Sequence, residues 1–157
     1  MPRPALFLLS LALAFFSAAP AARAADPAAD PAYRVVDIAP TKTSIFVGRV
    51  SISFSRFVRS DGVYAGDYQV RVFPFFYRES GHLRIQFNDD QVRRLHQGKP
   101  VTFVGEGRSR SGARRGVVGK ATPEGLQSGQ LLVDVFVTRS IKLVFHTTYR
   151  LEAAPES

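Results

Sequence analysis

Apolar and polar residues alternate along most of this chain, which is the period-two signature of strands with one covered face. Phe46, Gly48, Val50, Ile52 and Phe54 share one face of the first clear run, with Arg49, Ser51, Ser53 and Ser55 on the other. Asp61-Gly62 then supplies a turn. Tyr68, Val70, Val72 and Pro74 alternate with Gln69, Arg71 and Phe73, and a shorter run over 82–87 sets Leu83, Ile85 and Phe87 on one side. Strand patterning returns at 100–107 and, after a Gly/Ser/Arg turn, at 115–121. The strongest hairpin signal comes last. Leu131, Val133, Val135 and Val137 lead into a tight connection near Arg139-Ser140, and Leu143, Phe145, Thr147, Tyr149 and Leu151 lead away from it. A two-residue loop there sets His146 opposite about Val133.

The pattern changes period once. Asn88 and Gln91 have the spacing of a capping box, Val92 and Leu95 share a helical face, and Gly98 suits the residue after a helix end. One short helix is therefore expected over 89–97. Thr122-Pro123-Glu124 offers a second start, with a cap, a proline at the first helical position and an acid near the positive dipole end. Gly125, Ser128 and Gly129 limit it to a turn or two. The expected fold is mainly β, an antiparallel β-sandwich or small β-barrel of about seven to eight strands with one or two short helices. No internal repeat of fixed period is present.

The ends of the chain differ from this body. Arg3, an uncharged apolar run over 5–19 and the small-x-small triplet Ala22-Arg23-Ala24 have the form of a cleaved export signal over 1–24. The run is shorter than the roughly 20 residues that span a hydrocarbon core. Residues 25–32, with Ala-Asp-Pro twice, read as a flexible spacer, 33–152 as a single β-rich domain, and 153–157 as a disordered tail. The expected location is the periplasm or the cell exterior, with no transmembrane span in the mature chain. The chain has no cysteine, which excludes disulfide staples, thiol catalysis and a lipid-bearing N-terminal cysteine. A domain of this size buries enough surface to hold a core without them.

Charge adds a direction for partners. The full chain carries a net charge of +8, and arginine outnumbers lysine 17 to 4. Loss of Arg3 and Arg23 with the leader lowers the net charge to +6. Such a surface attracts anions. The partners it suits are an anionic glycan, a lipid or another envelope protein; export argues against nucleic acid. Oligomeric state is not legible.

Catalytic signals are sparse. His82, His96 and His146 lack the spacing of local metal ligands. Glu106 and Asp134 are the acids inside strong strand patterns and would form an acid/base pair if both faced one cavity. Asp89 and Asp90 are explained by the first helical turn. No nucleophile elbow or phosphate loop is present, and no cofactor or metal is expected.

Two features stand out for binding. Arg108, Arg110, Arg114 and Arg115 surround a hairpin tip, and their forked guanidinium groups suit phosphate or carboxylate; these are the candidate ligand-binding residues. Phe73-Pro74-Phe75-Phe76-Tyr77 concentrates aromatics that point to both faces, with Pro74 suggesting an edge or bulge. The leading expectation is a non-enzymatic binding or envelope-assembly module that contacts anionic surfaces through the four arginines. A carrier with an apolar barrel cavity for a small ligand is the alternative, and an enzyme of unknown class a third.

Overall fold

The computed structural model describes residues 33–152. The expected export signal, the spacer and the C-terminal tail lie outside them. The described residues form ten strand segments and one helix. In chain order these are β1 Val35–Ile38, β2 Thr41–Ile45, β3 Gly48–Phe54, β4 Phe57–Ser60, β5 Val63–Phe73 and β6 Tyr77–Gln86. The helix α1 Asp89–His96 follows, then β7 Val101–Ser109, β8 Arg114–Pro123, β9 Ser128–Phe136 and β10 Lys142–Glu152.

These segments close an eight-stranded antiparallel barrel. From β5 to β10 each strand pairs with the next in sequence, and β10 closes onto β1 with Val36 opposite Leu151. The two additional segments arise from interruptions. β1 and β2 hold one register against β4 and β3, from Val35 opposite Val58 to Ile45 opposite Gly48. Along β5, however, Phe54 opposes Tyr68 while Val58 opposes Ala65. One extra residue therefore sits in the β3–β4 strand, a bulge at Ser55-Arg56 that turns Phe57 into the core, where it is fully buried. Gly66 makes room for that ring, since a Cβ there would lie 3.0 Å from it.

One end of the barrel is plugged. Asn88 Oδ1 accepts from Gln91 N at 2.9 Å and Gln91 Oε1 accepts from Asn88 N at 2.7 Å, so the expected capping box forms. Gly98 follows the helix at φ 72°. α1 lowers Val92 and Leu95 onto the barrel floor, and Tyr33 shares a 2.6 Å hydrogen bond with His96 Nδ1 over it.

Four local expectations are corrected. No helix starts at Thr122: β8 continues through Pro123, which opposes Gly129, and Ser128 O accepts from the amides of Glu124 and Gly125. Phe46 is not a strand residue but the fully exposed tip of the β2–β3 hairpin. Pro74 lies in the β5–β6 turn rather than at an edge or bulge. The last hairpin has a five-residue connection, 137–141, in which Thr138 Oγ1 accepts from the amides of Ser140 and Ile141. This moves the register by one and sets His146 opposite Leu132.

Candidate functional site

Inward-facing residues grade in size along the barrel axis. Towards the helix they include Phe57, Tyr64, Phe87, Phe103 and Tyr149. Towards the hairpin end aliphatic residues predominate, among them Val50, Ile52, Val70, Val72, Val133 and Val135, with Phe145 as a buried ring. Aromatic rings fill the first half, and close packing there is helped by Gly119, where a Cβ would meet the Phe103 ring at 2.2 Å. The valines are too short to meet across the second half. A cavity of about 210 Å³ remains, with Phe54, Ile85 and Phe103 towards its floor. Val72, Val137 and Leu143 at its rim are half-buried and Tyr77 is exposed, so the cavity opens to solvent at the hairpin end. An apolar hole of about 150 Å³ holds a benzene molecule, so this one has room for roughly eight non-hydrogen atoms.

Polar side chains enter this interior as a cluster near the mouth. Arg115 Nη2 donates to Glu79 Oε2 at 2.7 Å. Tyr77 donates to the same oxygen at 2.8 Å, and Tyr68 donates to Glu79 Oε1 at 3.0 Å. Strand alternation places them: Glu79 is in phase with inward Gly81 and Leu83, and Arg115 with inward Val117. Tyr68 reaches the carboxylate because Gly81 and Gly107 flank its ring; a Cβ on Gly81 would lie 2.8 Å from the tyrosine hydroxyl.

The cluster sets its own protonation. Burial works against the Glu79 carboxylate, but hydrogen bonds from Tyr77, Arg115 and Tyr68, with the charge of Arg115, outweigh it and hold the pKa below the ordinary value. Burial likewise works against the Arg115 cation, and the Glu79 contact more than offsets it, raising its pKa. Burial and the bond to Glu79 push the Tyr68 hydroxyl up, and the Glu79 bond does most of this for Tyr77. Near neutral pH the site therefore holds one anion, one cation and two protonated phenols, with no net charge.

The four candidate arginines divide between the two faces of the barrel wall. Consecutive strand residues point to opposite faces, so Arg115 enters the cavity while Arg114 stays outside, 3.5 Å from Glu106. Arg108 opposes Arg114 across β7–β8 on the outer face, exposed. Arg110, in the turn, shares an external groove of about 270 Å³ with Arg71 and Arg78. Glu79, Tyr68, Arg71 and Arg78 carried no signal as site residues in the sequence, because barrel closure alone brings them to these partners. The acid/base pair is not formed: Glu106 faces outward, and Asp134 is bound by Lys142 at 2.8 Å. His82 pairs with Asp67 at 3.2 Å and His146 is exposed, so the histidines are dispersed. Among the described residues no cluster of three or more His, Asp or Glu side chains could hold a metal ion.

No family model, curated protein or solved structure matches the chain.

Proposed function

We propose that this protein is an exported, non-enzymatic carrier that holds a small amphipathic molecule inside the barrel. The observation that carries this reading is the cavity of about 210 Å³, lined mainly by apolar side chains, with Glu79, Arg115 and their tyrosines clustered at the mouth and Thr41 and Thr147 as the other polar residues. Ligand sites have this composition, an apolar wall with few convergent polar groups, and eight-stranded barrels are wide enough inside for one small ligand. The apolar part of the ligand lies among Val70, Val72, Val133 and Val135, and its polar group meets the Glu79–Arg115 cluster. That group is neutral, such as a hydroxyl or amide. A ligand carboxylate would have to displace Glu79 from Arg115 and leave a buried anion unpaired, which is costly. Catalysis is disfavoured by the same chemistry, because the carboxylate is held ionised and the phenols protonated near neutral pH.

The test is isothermal titration calorimetry of the full chain with hexanol and with hexanoate, both small enough for a cavity of about 210 Å³. Hexanol should bind more tightly than hexanoate. Val133→Phe, which puts a ring into the cavity, should reduce binding at least tenfold while the far-ultraviolet circular dichroism is unchanged. Equal binding by Val133→Phe and the parent would overturn the reading, and tighter binding of hexanoate than hexanol would overturn the neutral-group assignment.

A further inference from the structure

The open end of the barrel has surface features that the cavity does not use. The β2–β3 and β5–β6 turns stand side by side: Arg49 opposes Phe73, and a Cβ on Gly48 would lie 3.2 Å from Pro74 Cδ. At their tips Phe46 is fully exposed, Phe76 is 83 % exposed, and Val47, Phe73 and Phe75 are each more than half exposed. Phe73 and Phe76 pack edge to face with centroids 6.1 Å apart, so the rings form one patch. Phe76 adopts φ 54°, a left-handed backbone that favours Gly or Asn. A bulky, exposed ring at such a position costs folding energy and has no packing return within the barrel.

Charge is arranged to match. The groove shared by Arg71, Arg78 and Arg110 lies next to the β5–β6 turn, between that hairpin and the β7–β8 turn, with Glu79 also in its lining. Among the described residues, none of these three arginines is within ion-pair distance of a carboxylate. The acids towards this end, Glu79, Glu106 and Asp134, each face a basic partner. At the helix end four acids, Asp61, Asp89, Asp90 and Glu124, are interspersed with the basic residues, and Asp89 and Asp90 pair with Arg59 and Arg93. The positive field therefore points out of the open end.

We infer that this end docks on an anionic phospholipid bilayer, with the Phe46 and Phe75-Phe76 tips inserted at the acyl boundary and Arg71, Arg78 and Arg110 on lipid phosphates. Protruding aromatic turns flanked by cations fit the layered bilayer interface, where apolar groups sit about 5–10 Å deep beneath charged headgroups. A second copy fits poorly, because a two-fold contact through this patch would set arginine against arginine. No helix among the described residues is long and apolar enough to cross a membrane, and docking requires none. The inference stands apart from the cavity reading, since it uses outward-facing residues only.

The chain contains no tryptophan, so single tryptophans report contact without background. Phe75→Trp and Leu126→Trp, at opposite ends, are each added as the full chain to vesicles of phosphatidylglycerol and phosphatidylcholine, and to phosphatidylcholine alone. The Phe75→Trp emission should shift to the blue and be quenched by brominated acyl chains on the anionic vesicles, while Leu126→Trp is unaffected. Removing Arg71, Arg78 and Arg110 together, each to Ser, should weaken partitioning on the order of a hundredfold, at about fivefold per charge. Phe46→Ser with Phe76→Asn should weaken it at least tenfold. Equal quenching at both positions, or at neither, would overturn the inference, as it would if residues before 33 alone held the chain on the vesicle. So would a blue shift of Phe75→Trp on raising protein concentration without lipid, which marks self-association. Displacement by millimolar glycerophosphate would also overturn it, by assigning the groove to a free phosphate.

Discussion

Replacing Arg115 with Met tests whether the interior cluster is a bound pair or a pair of independent surface charges. The variant keeps the apolar stem and removes the cation, so Glu79 is left with two tyrosine donors and no counter-charge. Hydrogen bonds to charged groups contribute about 1.5–3 kcal/mol, and removing one member of a fully buried pair costs about 3–5 kcal/mol. Here the side chains keep 19 % and 9 % exposure for Arg115 and Glu79, so water screens part of the interaction. A loss of about 2 kcal/mol at neutral pH is expected. For about 120 folded residues, at roughly 2.1 cal/mol/K each, this lowers Tm by about 8 °C. Glu79→Gln should show the same pair through its pH dependence. The folded pKa of Glu79 lies below the ordinary value of 4.5, so the ionised carboxylate is favoured by folding. That stability is fully present above pH 4.5 and is lost as the pH falls through the folded value. The gap between parent and Glu79→Gln in urea denaturation should therefore be constant from pH 7 to about 5 and shrink below it. A gap that stays constant down to pH 3, or an Arg115→Met cost under about 0.5 kcal/mol, would refute the bound-pair account.

Two further outcomes follow from the core. Phe57→Ala removes a fully buried ring that the bulge and Gly66 exist to accommodate, and should cost about 3–5 kcal/mol in chemical denaturation; a cost below about 1.5 kcal/mol would mean the site collapses around the gap. Burial raises the Tyr149 hydroxyl to about 12, and Tyr64 and Tyr68 are raised as well. Their neutral forms are favoured by folding, so this stability is present below pH 10 and lost as the pH rises through the folded values. Absorbance at 295 nm should show these three of the chain's five tyrosines titrating only with alkaline unfolding, and a reversible folded-state titration near pH 10 with an amplitude above two tyrosines would contradict their burial.

The long strands and the helix were legible because each holds a full period-two or capping signal within a few residues. β1, β2 and β4 have four or five residues each, too few for alternation to stand out, and the Thr41–Ile45 segment TKTSI is mostly polar. Phe46 misled for a specific reason: counting by twos back from Val50 reaches it, but the chain reverses between Ile45 and Gly48 and the inward face passes to the odd positions of β2. Thr122-Pro123-Glu124 carries helix-start chemistry, but pairing with β9 outweighs a local cap. The site was the least legible part. Arg115 sits in a run of arginines that looks like one loop, and only its phase with Val117 separates it from Arg114. Its partner Glu79 is 36 residues away in sequence, and nothing short of barrel closure brings them together.

The size gradient of the interior connects stability with the proposed role. Leaving about 210 Å³ unfilled forfeits the dispersion contacts that larger inward side chains would make there. Leucine or phenylalanine at Val70, Val72, Val133 or Val135 would recover some of them, yet all four positions hold β-branched residues one size too small. The opposite half of the same barrel is filled with rings, so the strand geometry itself does not forbid large side chains. A void confined to the open half, next to a hydrogen-bonding cluster of zero net charge, is what a binding site costs a fold before its ligand arrives. Val133→Phe separates the two terms: on this account it raises Tm while it removes binding, and a fall in both would mean that the valines are required by packing rather than retained for a ligand.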